Sequence, residues 1–180
     1  MRNIINLILL VCVTFSMLAC VSSAQNHLDK GNSHFDKGNW DEAITEYSAA
    51  IEIDPSRVES YNNRASSYIE KGEYDMAISD YSKAIELDPQ CTLAYYSRSM
   101  AYIHNGDYEK AIADCNKVID LGLESAFAYF NRGVAYAKKG YYDSALDDLE
   151  KAKEISSNPT FIQRIEEYIK QVEEQMAKEK

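Results

Sequence analysis

Clustered positive charge is missing from this sequence. Of 180 residues, 19 are Lys or Arg against 29 Asp or Glu, a formal net charge of -10, and acids and bases are interleaved rather than blocked. Binding to nucleic acid by counterion release needs clustered Lys and Arg, so that class of partner is not expected. Histidine is scarce. His27, His34 and His104 include no two at a spacing that brings ligands together on one helix face. Of the four cysteines, Cys12 and Cys20 lie inside or at the edge of an apolar leader. The other two, Cys91 and Cys115, have no short metal-ligand spacing, no nearby histidine and nothing that requires a disulfide between them. The seven glycines form no phosphate-binding loop. Ser33 and His34 are adjacent and so diverge on a helix, while Asp147-Asp148 and Glu166-Glu167 read as solvated helix faces. No catalytic residue, metal site or cofactor is therefore expected, and the chain does not read as an enzyme.

One long apolar run is present, at the N-terminus. Met1-Arg2 supplies a positive charge, Ile4 to Leu18 is apolar apart from Asn6, Thr14 and Ser16, and small residues come next. That pattern predicts an export leader over residues 1–23 rather than a membrane span. Met17-Leu18-Ala19-Cys20 resembles the lipobox of bacterial lipoproteins, in which the cysteine is acylated and becomes the new N-terminus. The resemblance implies lipidation at Cys20, anchoring to a membrane without a spanning helix, and an outer-membrane or periplasmic location. Ordinary cleavage after Ala24 is the alternative, since Ser22-Ser23-Ala24 also offers small residues at the right offsets.

Beyond the leader the sequence is periodic. Gly38-Asn39-Trp40-Asp41-Glu42-Ala43 returns as Gly72-Glu73-Tyr74-Asp75-Met76-Ala77, then as Gly106-Asp107-Tyr108-Glu109-Lys110-Ala111, then as Gly140-Tyr141-Tyr142-Asp143-Ser144-Ala145. A fixed period of this size marks a stacked helix-turn-helix architecture. The copies align without insertions over 24–57, 58–91, 92–125 and 126–159, and 160–180 forms one amphipathic helix after them. Glycine ends each first helix in the left-handed conformation, and the acid three residues later enters the first turn of the second helix. Ala43, Ala77, Ala111 and Ala145 are small where paired helices cross. Tyr47, Tyr81, Cys115 and Leu149 lie four residues on along the same face, so Cys115 reads as a buried small hydrophobe. Pro55 and Pro89 close second helices.

With Gly31, Ala65, Ser99 and Gly133 in the first helices and Tyr68, Tyr102 and Tyr136 three residues on, the chain resembles the tetratricopeptide repeat over 24–159. The fold expected is all-α: a right-handed α-solenoid of four repeats plus a C-terminal capping helix, its apolar face formed by Phe161, Ile165, Tyr168, Ile169, Val172 and Met176. The architecture turns its first helices toward a concave groove. By register that groove takes Leu28, Asn32 and Phe35, then Asn62, Asn63, Ser66 and Ile69, then Leu93, Tyr96, Ser97, Met100 and His104, then Phe127, Phe130, Asn131 and Val134. The residues expected to meet a partner are Asn32, Asn62, Asn63, Tyr96, Met100, Phe130 and Asn131. Asparagine amides can hold a peptide backbone, and the apolar members offer anchors. Leu93 and Phe127, near helix starts, can pack instead against the preceding repeat.

Some domains of this family clamp the C-terminal carboxylate of heat-shock chaperones with two asparagines and several basic residues. Asn32 and Asn63 match the asparagines, but Leu28, Leu93 and Ser97 stand at basic positions. A neutral or apolar segment is thus the expected ligand, since an unpaired carboxylate would be costly to desolvate. The function expected is a non-catalytic scaffold or adaptor that binds a protein or peptide, exported and membrane-tethered. The alternatives are a self-associating structural protein or an accessory subunit of an envelope enzyme or assembly machine.

Overall fold

The structure is a computed structural model and describes residues 21–122 and 125–179. Among the described residues every regular element is helical. They are α1 (21–35), α2 (Trp40–Ile53), α3 (Val58–Lys71), α4 (Tyr74–Leu87), α5 (Thr92–Asn105), α6 (Tyr108–Asp120), α7 (Ala126–Lys138), α8 (Tyr142–Ile155) and α9 (Pro159–Lys178). They fall into two compact units that divide between Glu73 and Tyr74. The leader and Cys20 lie outside the described residues. Among those residues no helix is long and apolar enough to cross a membrane.

The turns arise from glycine chemistry. Gly72 and Gly106 close α3 and α5 at φ of 75° and 84°, and their N–H groups return to Ile69 and Ile103 carbonyls. The next residues, Glu73 and Asp107, donate to Tyr68 and Tyr102 carbonyls at 2.8 and 2.9 Å, so two orphan acceptors of each helix are satisfied. A residue with a Cβ would be strained at these φ values. Asp75, Glu109 and Asp143 then occupy first turns, beside the positive helix end.

In the first unit, α1 packs on α2 through a core of Leu28, Ala43 and Tyr47, bordered by Phe35. The expectation that Leu28 faces a groove is wrong: it is fully buried in this core. Leu28 lies four residues before Asn32, but the packing of Tyr47 against α1 takes it inward. Gly31 is where the Tyr47 ring lies. A Cβ there would sit 2.4 Å from Tyr47 Cε1 and 2.5 Å from Cδ1. Glycine to alanine inside a helix ordinarily gains about 1 kcal/mol, but overpacking a filled core costs about 1 to 3 kcal/mol. The Tyr47 ring is buried and cannot swing clear, so overpacking wins. Gly31→Ala is expected to lower the urea midpoint of unfolding. A rise would show that the ring relocates.

In the second unit each helix from α4 to α9 packs on the next, and α5 also packs on α7, the first helices of successive repeats. The chain's small-for-large pattern recurs here with different volumes. A Cβ at Gly133 would lie 3.0 Å from Leu149 Cγ and 3.1 Å from the Ala145 carbonyl, whereas Ser99 faces the smaller Cys115. Cys115 is fully buried, and burial pushes its thiol up to about 12, so it is an inert packing group. Cys91 and Cys115 are not joined by a disulfide.

A polar ladder binds the second unit. Arg98 Nε and Nη2 donate to both Asp114 oxygens at 2.8 Å, and Nη1 donates to Ser82 Oγ at 2.9 Å. Arg132 repeats this one period later, with 2.7 Å bonds to Asp148 and a 2.5 Å bond to Asn116 Oδ1. Burial opposes the Arg98 charge, but the Asp114 bonds outweigh it and hold its pKa above the ordinary value. Asp148 is therefore a buried partner of Arg132, and the solvated-face reading of Asp147-Asp148 is corrected at Asp148.

The C-terminal helix opens with Asn158, whose side chain accepts from the Phe161 N–H at 3.1 Å, and Pro159 stands in its first turn. Phe161, Ile165 and Val172 are buried against Phe130, Ala145, Leu149 and Ala152, with Tyr168 and Ile169 alongside. Alpha 9 thus covers α8 as a cap would.

Candidate functional site

Each unit carries a cleft of its own. In the first unit, Asn32, Phe35, Asp36, Tyr47, Asn63 and Ser66 line a cavity of about 150 Å³. Its asparagines are tied together: Asn32 Oδ1 accepts from Tyr47 Oη and from Asn63 Nδ2, both at 2.8 Å. That leaves the Asn32 amide nitrogen and the Asn63 side-chain carbonyl uncommitted within this cluster. Burial, then the charges of Asp36 and Glu59, push the Tyr47 phenol up to about 12, so it stays a donor to Asn32 at neutral pH. Asn62 does not join them. Neighbouring residues on a helix point about 100° apart, and Asn62 turns into the protein with 6% of its surface exposed. Its expected place beside Asn63 in the groove is corrected.

The larger cleft, about 620 Å³, lies in the second unit. Alpha 5 contributes Tyr96, Met100 and His104, and α7 contributes Phe127, Phe130, Asn131, Val134 and Lys138. Its other wall comes from α9, through Arg164, Glu167, Tyr168 and Gln171. Beneath the cleft runs a chain of rings that continues to the buried Phe161. Tyr96 lies 5.6 Å from Phe127, Phe127 lies 4.4 Å from Phe161, and Phe130 meets Phe161 at 5.3 Å and Tyr168 at 5.8 Å. The Arg164 guanidinium sits 4.9 Å above Phe130 and 5.8 Å from Phe161. Burial raises the Tyr96 and Tyr168 phenols, partly offset at Tyr96 by Arg164, so both remain protonated donors.

The seven expected contact residues therefore do not form one site. Asn32 and Asn63 line the small cleft, Tyr96, Met100, Phe130 and Asn131 line the large one, and Asn62 lines neither. Phe130 and Asn131 are also more buried than a surface contact requires, at 5% and 6% exposure. Asn131 Nδ2 donates to Ser99 Oγ at 3.1 Å, and Ser99 donates in turn to the Tyr96 carbonyl. A buried amide is tolerable when so partnered. Ser97 is buried as well. Phe127, by contrast, is 48% exposed and packs on Tyr96 of the preceding repeat as its register allowed. The α9 wall was not foreseen. An amphipathic helix read alone shows which face is apolar but not that Arg164, on its exposed side, lies over a neighbour's ring.

Three models of this repeat match the sequence: residues 31–68 match a "TPR repeat", 58–91 a "Tetratricopeptide repeat", and 92–122 with 126–159 a second "Tetratricopeptide repeat". The chain belongs to the tetratricopeptide repeat family. Repeats of this family are in general interaction modules, and the all-α tetratricopeptide fold is shared with solved structures. The MamA protein is 29% identical with a TM-score of 0.75, over 84% of this chain and 81% of that one. The first tetratricopeptide domain of Spaghetti (RPAP3), bound to the HSP90 peptide SRMEEVD, is 28% identical with a TM-score of 0.65, over 67% of this chain and 95% of that one. The second such domain of human RPAP3, in complex with the HSP70 peptide SGPTIEEVD, is 26% identical with a TM-score of 0.61, over 66% and 97%. No curated protein sequence matches the chain. Among the described tetratricopeptide residues, no group of three or more His, Cys, Asp and Glu side chains is placed to hold a metal ion.

Proposed function

We propose that this tetratricopeptide protein is a non-catalytic adaptor, exported and tethered to a membrane through Cys20, that holds a segment of a partner protein in the cleft between α5, α7 and α9. The cleft itself carries the reading: about 620 Å³, with an aromatic floor and polar groups at its rim. Concave, largely apolar surfaces with a few placed polar groups are what binding sites require, and buried aromatic anchors dominate binding energies. Structural relatives that hold chaperone peptides support a peptide as the class of ligand. The family's carboxylate clamp does not carry over, because Leu28 is core, Ser97 is buried and Leu93 is apolar. Membrane tethering rests on Met17-Leu18-Ala19-Cys20 and is the reading's sequence-based part.

A photo-crosslinking residue at Phe127, exposed on the cleft, tests the adaptor role in the native cell. Glu150, on the exposed side of α8, is the control. A discrete adduct at Phe127 alone is expected, and its mass identifies the partner. An adduct only with another copy of this chain would replace the adaptor by self-assembly. Mass spectrometry of the native N-terminus tests the tether, and an unlipidated chain beginning at Gln25 would remove it.

A further inference from the structure

The second unit contains three arginines, and two of them are neutralised. Arg98 and Arg132 each hold a buried aspartate through two hydrogen bonds. Arg164 does not. Among the described residues no carboxylate pairs with it, and its guanidinium lies over Phe130 and Phe161 on the wall of the aromatic cleft. Lys138, at the end of α7, lines the same cleft and is likewise without an ion pair among the described residues. In this chain of net charge -10 the half-buried lysines Lys139, Lys151 and Lys153 have carboxylate partners.

Resting on the adaptor reading, we propose that the cleft recognises a partner segment carrying a single Asp or Glu side chain next to an aromatic or large aliphatic one. Arg164 receives the carboxylate, and the surface of Tyr96, Met100 and Phe127 receives the apolar side chain. Such a segment complements the cleft in both charge and shape. A guanidinium held over rings loses little freedom on binding, and its planar fork matches a carboxylate through two parallel bonds. Glu167, one turn further along α9, lines the same cleft and opposes a run of acids. The ligand therefore differs in kind from the multiply acidic peptides SRMEEVD and SGPTIEEVD held by RPAP3 domains, and its charge is read by the capping helix. Alpha 9 thereby becomes a specificity element as well as a cap, and the expectation of a neutral ligand is replaced by a singly charged one.

The test uses the full chain and fluorescein-labelled, C-terminally amidated nonapeptides, so that no terminal carboxylate competes. The peptides carry Glu-Phe, Gln-Phe or Glu-Ser at the centre of a Ser/Asn background, and binding is read by fluorescence anisotropy. Glu-Phe is expected to bind at least tenfold more tightly than either control. Arg164→Gln should abolish the Glu-over-Gln preference with only a small drop in melting temperature, because the side chain is exposed and loses no more than its contacts with two rings. Arg164→Lys should restore only part of it, since an ammonium lacks the fork. Equal binding of Glu-Phe and Gln-Phe, lost in Phe127→Ser, would overturn the charge reading and leave the adaptor reading standing. If no peptide binds at all, or if sedimentation shows a dimer that Phe127→Ser dissociates, the proposed occupant is wrong and the adaptor reading fails with it.

Discussion

Replacing Asp148 by alanine is expected to destabilise the chain by about 3 kcal/mol, because it strands the Arg132 guanidinium in a partly buried site. The side chains of Arg132 and Asp148 retain only 19% and 9% of their exposure, so water cannot fully replace the lost partner. The magnitude belongs to the orphaned charge, not to the pair. A double variant, Arg132→Leu with Asp148→Leu, removes both charges and fills the space, and it should recover most of the loss. Urea denaturation followed by circular dichroism measures both. A cost below about 0.5 kcal/mol for Asp148→Ala would mean that the pair behaves as an exposed surface bridge, which is worth little.

Phe130→Ala is expected to cost as much or more, about 3 to 5 kcal/mol, by leaving a cavity under α9. The ring contacts Phe161, Tyr168 and Arg164, so its loss should loosen the capping helix first. Hydrogen exchange resolves this, with faster exchange expected along α9 while α1 to α3 keep their protection, as nearest-neighbour coupling in a repeat array implies. Uniform acceleration over the whole chain would show instead that the two units unfold as one. Phe130 is consequently a poor residue for probing partner binding, since binding and stability would fall together. Phe127→Ser, at an exposed ring, separates the two effects.

The helices and their turns were legible because their causes are local. Gly72 and Gly106 stop helices by reaching positive φ, which depends on little beyond the residue itself. Ala43, Ala77, Ala111 and Ala145 are all fully buried, as a small residue recurring once per repeat implied. The same periodicity also held the Arg98–Asp114 and Arg132–Asp148 ladder, since both partners recur at that spacing. It went unread there because charged residues on helices are so often solvated, and nothing short of packing distinguishes Asp148 from its exposed neighbour Asp147.

The candidate site was only half legible, and the failures share a reason. Register placed Asn62 and Asn63 together, but adjacent helical residues diverge, and packing turned Asn62 inward. Asn131 is buried because Ser99, 32 residues away, is there to receive its amide. Arg164 belongs to a helix whose own pattern says nothing of the Phe130 ring beneath it.

By itself, then, the sequence determined the all-α repeat class, the glycine turns, the small crossing residues and the apolar face of the last helix. Each depends on backbone preference or on a hydrophobic period that recurs from repeat to repeat. Only the tertiary structure decided which polar residues are partnered inside and which cation stands over the cleft. Those outcomes are set by distances between side chains on different helices, and a one-dimensional period carries the spacing of residues along the chain, not the space between helices.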